Sequence, residues 1–137
     1  MGRTSAKNVE VIISEVERGD KGRFSLISNF LADNLEWSAI DKPNCNAIPP
    51  GIYKSCKLGR IDAPGHREDE KKPFCFEVNF KSNIRYYLVE PGTYRFTITV
   101  GCDNAKSIRK RFEMQVKDYW SEVEAEMLKN GSQIKEV

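Results

Sequence analysis

Gly92-Thr-Tyr-Arg-Phe-Thr-Ile-Thr-Val-Gly-Cys102 decides the fold. Tyr94, Phe96, Ile98, Val100 and Cys102 alternate with Arg95, Thr97, Thr99 and Gly101. Successive side chains of a strand point to opposite sides, so this period of two gives one apolar and one polar face. Thr, Ile, Val, Tyr and Phe all suit a pleated, half-buried surface. On a helix the same apolar residues would be spread around every side. Asp103 to Lys106 reads as a turn. Ser107 to Lys117 reads as a second strand, with Ile108, Phe112, Met114 and Val116 on one face. Arg109, Arg111, Glu113, Gln115 and Lys117 take the other. Lys110 interrupts the apolar face near the strand start, where its stem can lie on apolar surface with the ammonium in water. The short connection makes the pair an antiparallel hairpin.

Working outward, six more strands are expected. Asn8 to Glu17 carries Val9, Val11 and Ile13 on one face and Ile12 and Val16 on the other. Arg23 to Ser28 is short. Asn34 to Ser38 holds Leu35 and Trp37, and Gly51 to Ile61 holds Ile52, Cys56 and Leu58. Phe74 to Phe80 places Phe74, Phe76, Val78 and Phe80 opposite Cys75, Glu77 and Asn79. Arg85 to Val89 completes the set. Arg18-Gly-Asp-Lys-Gly22 reads as a hairpin tip, and Pro49-Pro-Gly51 and Pro91-Gly92 each launch a strand. Short strands punctuated by turns predict an all-β fold, an immunoglobulin-like antiparallel β-sandwich of about seven strands. The stretch from Asp62 to Pro73, with Arg67-Glu-Asp-Glu-Lys-Lys72 inside it, reads as a solvated, mobile loop.

At the C-terminus the period changes. Trp120, Val123, Met127 and Leu128 fall on one helical face. Asp118 suits an N-cap, Ser121 with Glu124 suits a capping box, and Gly131 suits the C-terminal cap. The expected layout is one domain over residues 1–137. It divides into a sandwich over 8–117, a short helix over 118–130 and a loose tail over 131–137.

The chain has 137 residues, 39% hydrophobic and 31% charged, with a formal net charge of +2. That length buries a core without disulfide or metal staples, and that charge sets up no strong global field toward nucleic acid or an acidic membrane. No stretch approaches the ~18–20 apolar residues of a membrane span, and Met1-Gly-Arg-Thr-Ser-Ala-Lys7 lacks the apolar run of a signal peptide. A cytoplasmic protein is expected, or the soluble part of an anchored one. Cys45, Cys56, Cys75 and Cys102 are widely spaced, with no Cys-x-x-Cys pair. Free thiols are the favoured state in a reducing compartment, with two disulfides or a zinc site as the alternatives.

Chemistry-bearing patterns are sparse. His66 is the lone histidine and sits in the charged loop, so acid–base or nucleophile pairs that need an imidazole all depend on it. Neither a nucleophile elbow nor a phosphate-binding glycine loop occurs. Glu68-Asp-Glu70 lacks the alternating oxygen ligands of a calcium loop. No catalytic residue, metal or cofactor is expected. Lys106, Arg109 and Arg111 form a basic stripe on the last strand, and Lys110 and Lys117 extend it. Such a stripe suits an acidic partner or nucleic acid, but basic residues also protect an edge strand from aggregation, which is the expectation preferred here. Trp37 is expected in the sandwich core, and Trp120 is expected to dock the helix. Exposed, either would offer a stacking platform.

Leu88-Val-Glu-Pro-Gly-Thr-Tyr-Arg-Phe-Thr-Ile-Thr-Val100 resembles the end of many immunoglobulin-like and fibronectin type III-like domains. There a Pro-Gly turn precedes a tyrosine that starts the penultimate strand. The resemblance implies that Tyr94 is a tyrosine-corner residue whose hydroxyl bonds back to the preceding turn. Gly2-Arg-Thr-Ser-Ala-Lys-Asn-Val-Glu-Val-Ile-Ile13 is similar to a pattern in bacterial immunoglobulin-like domains, including cell-adhesion-related ones. In those, a first strand precedes this run. Trp37, Ile48-Pro-Pro-Gly51 and the Tyr94 strand also look like a group of uncharacterised prokaryotic proteins, some with membrane-spanning helices before the domain. The resemblance implies that a first strand is missing upstream of Met1. An unpaired N-terminal sheet edge would then seek a second copy. A non-catalytic protein-interaction or structural module is the expected function. A module binding carbohydrate or nucleic acid through exposed aromatics or the basic stripe is the alternative.

Overall fold

The computed structural model describes residues 4–27, 30, 32–38, 43–78 and 87–137. Among these residues the fold is all-β and antiparallel, with two sheets sharing one core and a single short helix near the C-terminus. β1 (Ala6–Asp20) is the spine of the larger sheet. On one side it pairs with the long hairpin strand β8 (Gly92–Cys102). On its other side three short strands follow one another along its length. These are β4 (Asn44–Ile48), β3 (Asp33–Asn34) and β2 (Arg23–Leu26). β9 (Ala105–Val116) pairs with β8, and β10 (Gln133–Glu136) pairs with β9. The smaller sheet has the order β5 (Gly59–Ile61), β6 (Phe74–Phe76), β7 (Leu88–Val89).

The decisive hairpin forms as its pattern requires. Tyr94, Phe96, Met114 and Val116 turn into the core, and the turn is the two-residue Asp103-Asn104 connection between Cys102 and Ala105. Lys21 and Gly22, both at positive φ (51° and 80°), close the β1–β2 hairpin between Asp20 and Arg23. That left-handed pair matches the twist of the flanking strands. Phe76 of the smaller sheet meets Phe96 of the larger one edge to face, 6.0 Å between centroids, and both are fully buried. This contact is the centre of the core.

Several expectations are corrected. β1 is paired on both sides, so it is no open edge, and the dimer expected through an unpaired N-terminal strand has no β1 edge to use. Val16 lies in the core with Val9, Val11 and Ile13. A bulge between Ser14 and Glu17, with Glu15 at φ 52°, inserts a residue and returns Val16 to the inner face. The expected strand at Gly51 is confined to Gly59–Ile61, and β4 was not expected. Asn34 to Ser38 crosses between layers. Asn34 pairs with β1, Leu35 bridges Val78 and Trp37 bridges Cys56. Ser28, Asn79, Phe80, Arg85 and Tyr86, in expected strands, lie outside the described residues.

The C-terminal helix over 118–130 shortens to α1 (Glu124–Asn130), with no buried residue and no side-chain cap. Asp118 is engaged by Arg67 instead, and Ser121 Oγ accepts the Val123 N–H. That bond holds the chain in a turn where the helix was expected to begin. The expected loose tail is β10, an added strand of the larger sheet.

Candidate functional site

The outer face of the β1–β8–β9 layer carries the expected basic stripe, and the bulge in β1 decides what becomes of it. Glu15 is aimed onto that face. Arg109 Nη2 donates to Glu15 Oε1 at 2.8 Å, and Thr97 Oγ1 donates to Glu15 Oε2 at 3.2 Å. Arg111 donates to Thr97 Oγ1 at 2.8 Å and pairs with Glu17. Thr97 is left 2% exposed on the polar side of the sheet. Next to it Arg95 Nε donates to Glu113 at 3.1 Å, with its guanidinium 4.1 Å from the Phe24 ring centre. Lys135 Nζ lies 3.4 Å from the same carboxylate. Arg95 and Lys135 hold the Glu113 carboxyl below the usual carboxylate range. Arg109 and Arg111 are thus committed to carboxylates of their own chain and offer little free charge to phosphate. Lys106 stands apart from them at the hairpin tip, exposed.

Tyr94 adopts the corner geometry. Its hydroxyl donates to the Glu90 carbonyl at 2.7 Å, and burial pushes the phenol upward. Arg18, at 5.8 Å from the ring centre, pairs with Glu90 at 2.6 Å. The bond to Glu90 raises the Arg18 guanidinium still further above its ordinary range. Arg18, Lys72, Glu90 and Tyr94 border a shallow depression of about 220 Å³.

Trp37 is 6% exposed and its Nε1 donates to the Val9 carbonyl at 3.2 Å, so it is a core residue as expected. Trp120 departs from its expected docking role. It precedes α1 and is 38% exposed.

His66 is exposed in the 62–73 segment, and that segment is highly organised. Arg67 is its pin. Its side chain is 3% exposed and donates to the carbonyls of Asp62 (3.0 Å) and Glu70 (3.1 Å). Its Nη2 lies 2.9 Å from the Asp118 carboxylate, an ion pair without hydrogen-bond alignment. The acidic run is spent on the same structure. Tyr87 donates to Glu68, the Lys71 N–H to Asp69 and the Gly65 N–H to Glu70. Among the described residues no group of three His, Cys, Asp or Glu could hold a metal ion. None of the four cysteines is joined in a disulfide among the described residues, and Cys45 and Cys75 are buried. Burial pushes the Cys56 thiol up to about 11. No helix among the described residues is long and apolar enough to cross a membrane.

Sequence reasoning missed one feature of the surface. β10 covers β9 only from Phe112 to Gln115, with one further bond from the Val137 N–H to the Arg111 carbonyl. Ala105 to Lys110 are exposed, and no described strand pairs with their outer side. The missed signal was the length mismatch between a twelve-residue strand and the four residues that cover it. Comparison with protein-family models, curated proteins and solved structures yields no match.

Proposed function

We propose that this chain is a non-catalytic protein-interaction module of immunoglobulin-like design that engages a protein partner along the outer margin of β9. The open margin from Ala105 to Lys110 is the observation that carries the reading. A row of unpaired backbone groups on a sheet edge is a template for another chain. The Tyr94 corner supports the immunoglobulin-like kinship, and cysteines with no disulfide among the described residues fit a reducing compartment such as the cytoplasm.

Photo-crosslinking in the source cell tests the reading. A photoreactive residue at position 107 or 109 is expected to give a discrete polypeptide adduct, while one at the exposed Tyr53 serves as background. Adducts no different from that background at both positions would remove the proposal.

A further inference from the structure

We infer that two copies of this chain associate about a dyad through the outer edge of β2, with Ser25 facing Ser25 and Phe24 of each copy facing Leu26 of the other. This edge lies at the end of the larger sheet away from β9 and β10. The inference goes beyond the interaction reading above and does not depend on the β9 margin.

Two observations fix where the β2 backbone points. Lys21-Gly22 is a two-residue turn, so Asp20 and Arg23 beside it form a hydrogen-bonded pair. The Ile27 N–H donates to the Val16 carbonyl at 2.8 Å. The register between β1 and β2 runs unbroken from Asp20 opposite Arg23 to Glu17 opposite Leu26. Arg23, Ser25 and Ile27 therefore turn their backbone groups to β1, and Phe24 and Leu26 turn theirs outward. Among the described residues no strand pairs with that outer side.

The side chains suit a second copy. Phe24 and Leu26 share the outer face of the sheet. The Phe24 ring lies across Gly19, where a Cβ would meet it at 2.7 Å, and its centre is 4.1 Å from the Arg95 guanidinium. Leu26 sits opposite Glu17, whose carboxylate is engaged by Arg111, and is 61% exposed. Antiparallel pairing about Ser25 sets the fixed ring of each copy against the uncovered leucine of the other. It also closes two pairs of backbone hydrogen bonds. On the opposite face Arg23 meets the partner's Ile27, so no like charges lie directly opposite. From Phe24 to Ile27 the edge carries no lysine, arginine or proline of the kind that blocks edge pairing. β2 has only four residues, so the contact is small and the dimer is weak and reversible. Such a dimer carries two β9 margins, both outside the new contact.

Sedimentation velocity on the full chain is expected to show dimer forming as concentration rises from about 10 µM to ~1 mM. Leu26→Lys sets an ammonium against the partner's Phe24 and leaves the β1–β2 ladder in place, since the Leu26 backbone faces outward. It is expected to weaken dimerisation at least tenfold, with the fold retained by circular dichroism. Hydrogen exchange on the unaltered protein reads the register directly. The Phe24 and Leu26 amides are expected to slow as concentration rises, and the Ser25 amide, which faces β1, to change far less.

Cysteines placed along the edge give a second readout. Ser25→Cys brings two thiols to a non-hydrogen-bonded pair, with Cα atoms about 4.5 Å apart and within disulfide reach. Arg23→Cys stands four residues out of register with its twin, roughly 14 Å along the strand. Mild oxidation is expected to link the Ser25→Cys protein into dimers much faster than the Arg23→Cys protein or the parent. A strict monomer at ~1 mM overturns the inference, as does a dimer that Leu26→Lys leaves unweakened. So do equal crosslinking at positions 23 and 25, and concentration-dependent protection at Ala105–Lys110 in place of Phe24 and Leu26.

Discussion

The Tyr94 hydroxyl donates to the Glu90 carbonyl across 2.7 Å, tying the start of β8 to the turn before it. The ring is almost fully buried and the hydroxyl faces the turn. Tyr94→Phe keeps the ring and deletes the bond. It is expected to cost about 1 kcal/mol, the net worth of one such bond. Urea unfolding checks this, with an unchanged slope and a lower midpoint.

Gly59 approaches the smaller sheet too closely for a side chain. A Cβ there would meet the Phe74 ring and lie 2.6 Å from the Cys75 carbonyl oxygen. Phe74 is buried against Phe76 and cannot easily turn away. Gly59→Ala is expected to destabilise by ~1–3 kcal/mol through overpacking. A thermal midpoint equal to that of the parent would contradict the packing described here.

Arg67 organises the 62–73 segment from within. Arg67→Ala abandons two carbonyls and the Asp118 carboxylate. A loss of about 2–3 kcal/mol is expected, near the upper range for hydrogen bonds from a charged donor. Limited proteolysis should then cut at the Arg67–Lys72 run in the variant and spare it in the parent.

Glu113 carries a pH signature. Its folded carboxyl is held low by Arg95 first and Lys135 second. A depressed folded value means that the contribution is present above the unfolded carboxylate pKa and lost as pH falls through the folded one. Stability is therefore expected to decline on acidification below the ordinary Glu range, with a shallower decline in Glu113→Gln. Parallel acid titrations of the two proteins, followed by circular dichroism, decide it.

Cys56 should be a slow thiol despite partial exposure. Burial raises it to about 11, so almost no thiolate is present at pH 8. Disulfide-exchange labelling at pH 8 is expected to be much slower for native Cys56 than for the unfolded chain. The same shift makes folding favourable below the ordinary thiol pKa and progressively less so as pH rises toward 11. Rapid native labelling of Cys56 would contradict its described burial.

The β8–β9 hairpin and Trp37 were legible because both lie in strand patterns, whereas aromatic size alone misplaced Trp120. The face of Val16 was not, since a bulge leaves no mark in the pattern of apolar residues. Gln133 to Glu136 is mostly polar and exposed, with Ile134 its one apolar residue, and becomes a strand along the edge of β9. The basic stripe was visible as charge, but the pairing of Arg109 and Arg111 depended on where the bulge aims Glu15 and Glu17. Arg67 reads as one more cation in a charged run, and only tertiary placement distinguishes it from its neighbours.

The spine strand has a temporal consequence. β1 leaves the ribosome well before its long partner β8, with Glu10 facing Gly101. Long-range pairing of this kind slows folding, because the loop must close before the contact forms. The apolar face of Val9, Val11 and Ile13 must therefore wait, unpaired with β8, until residues 92–102 have emerged. Dependence on a nascent-chain chaperone is a natural outcome of this topology.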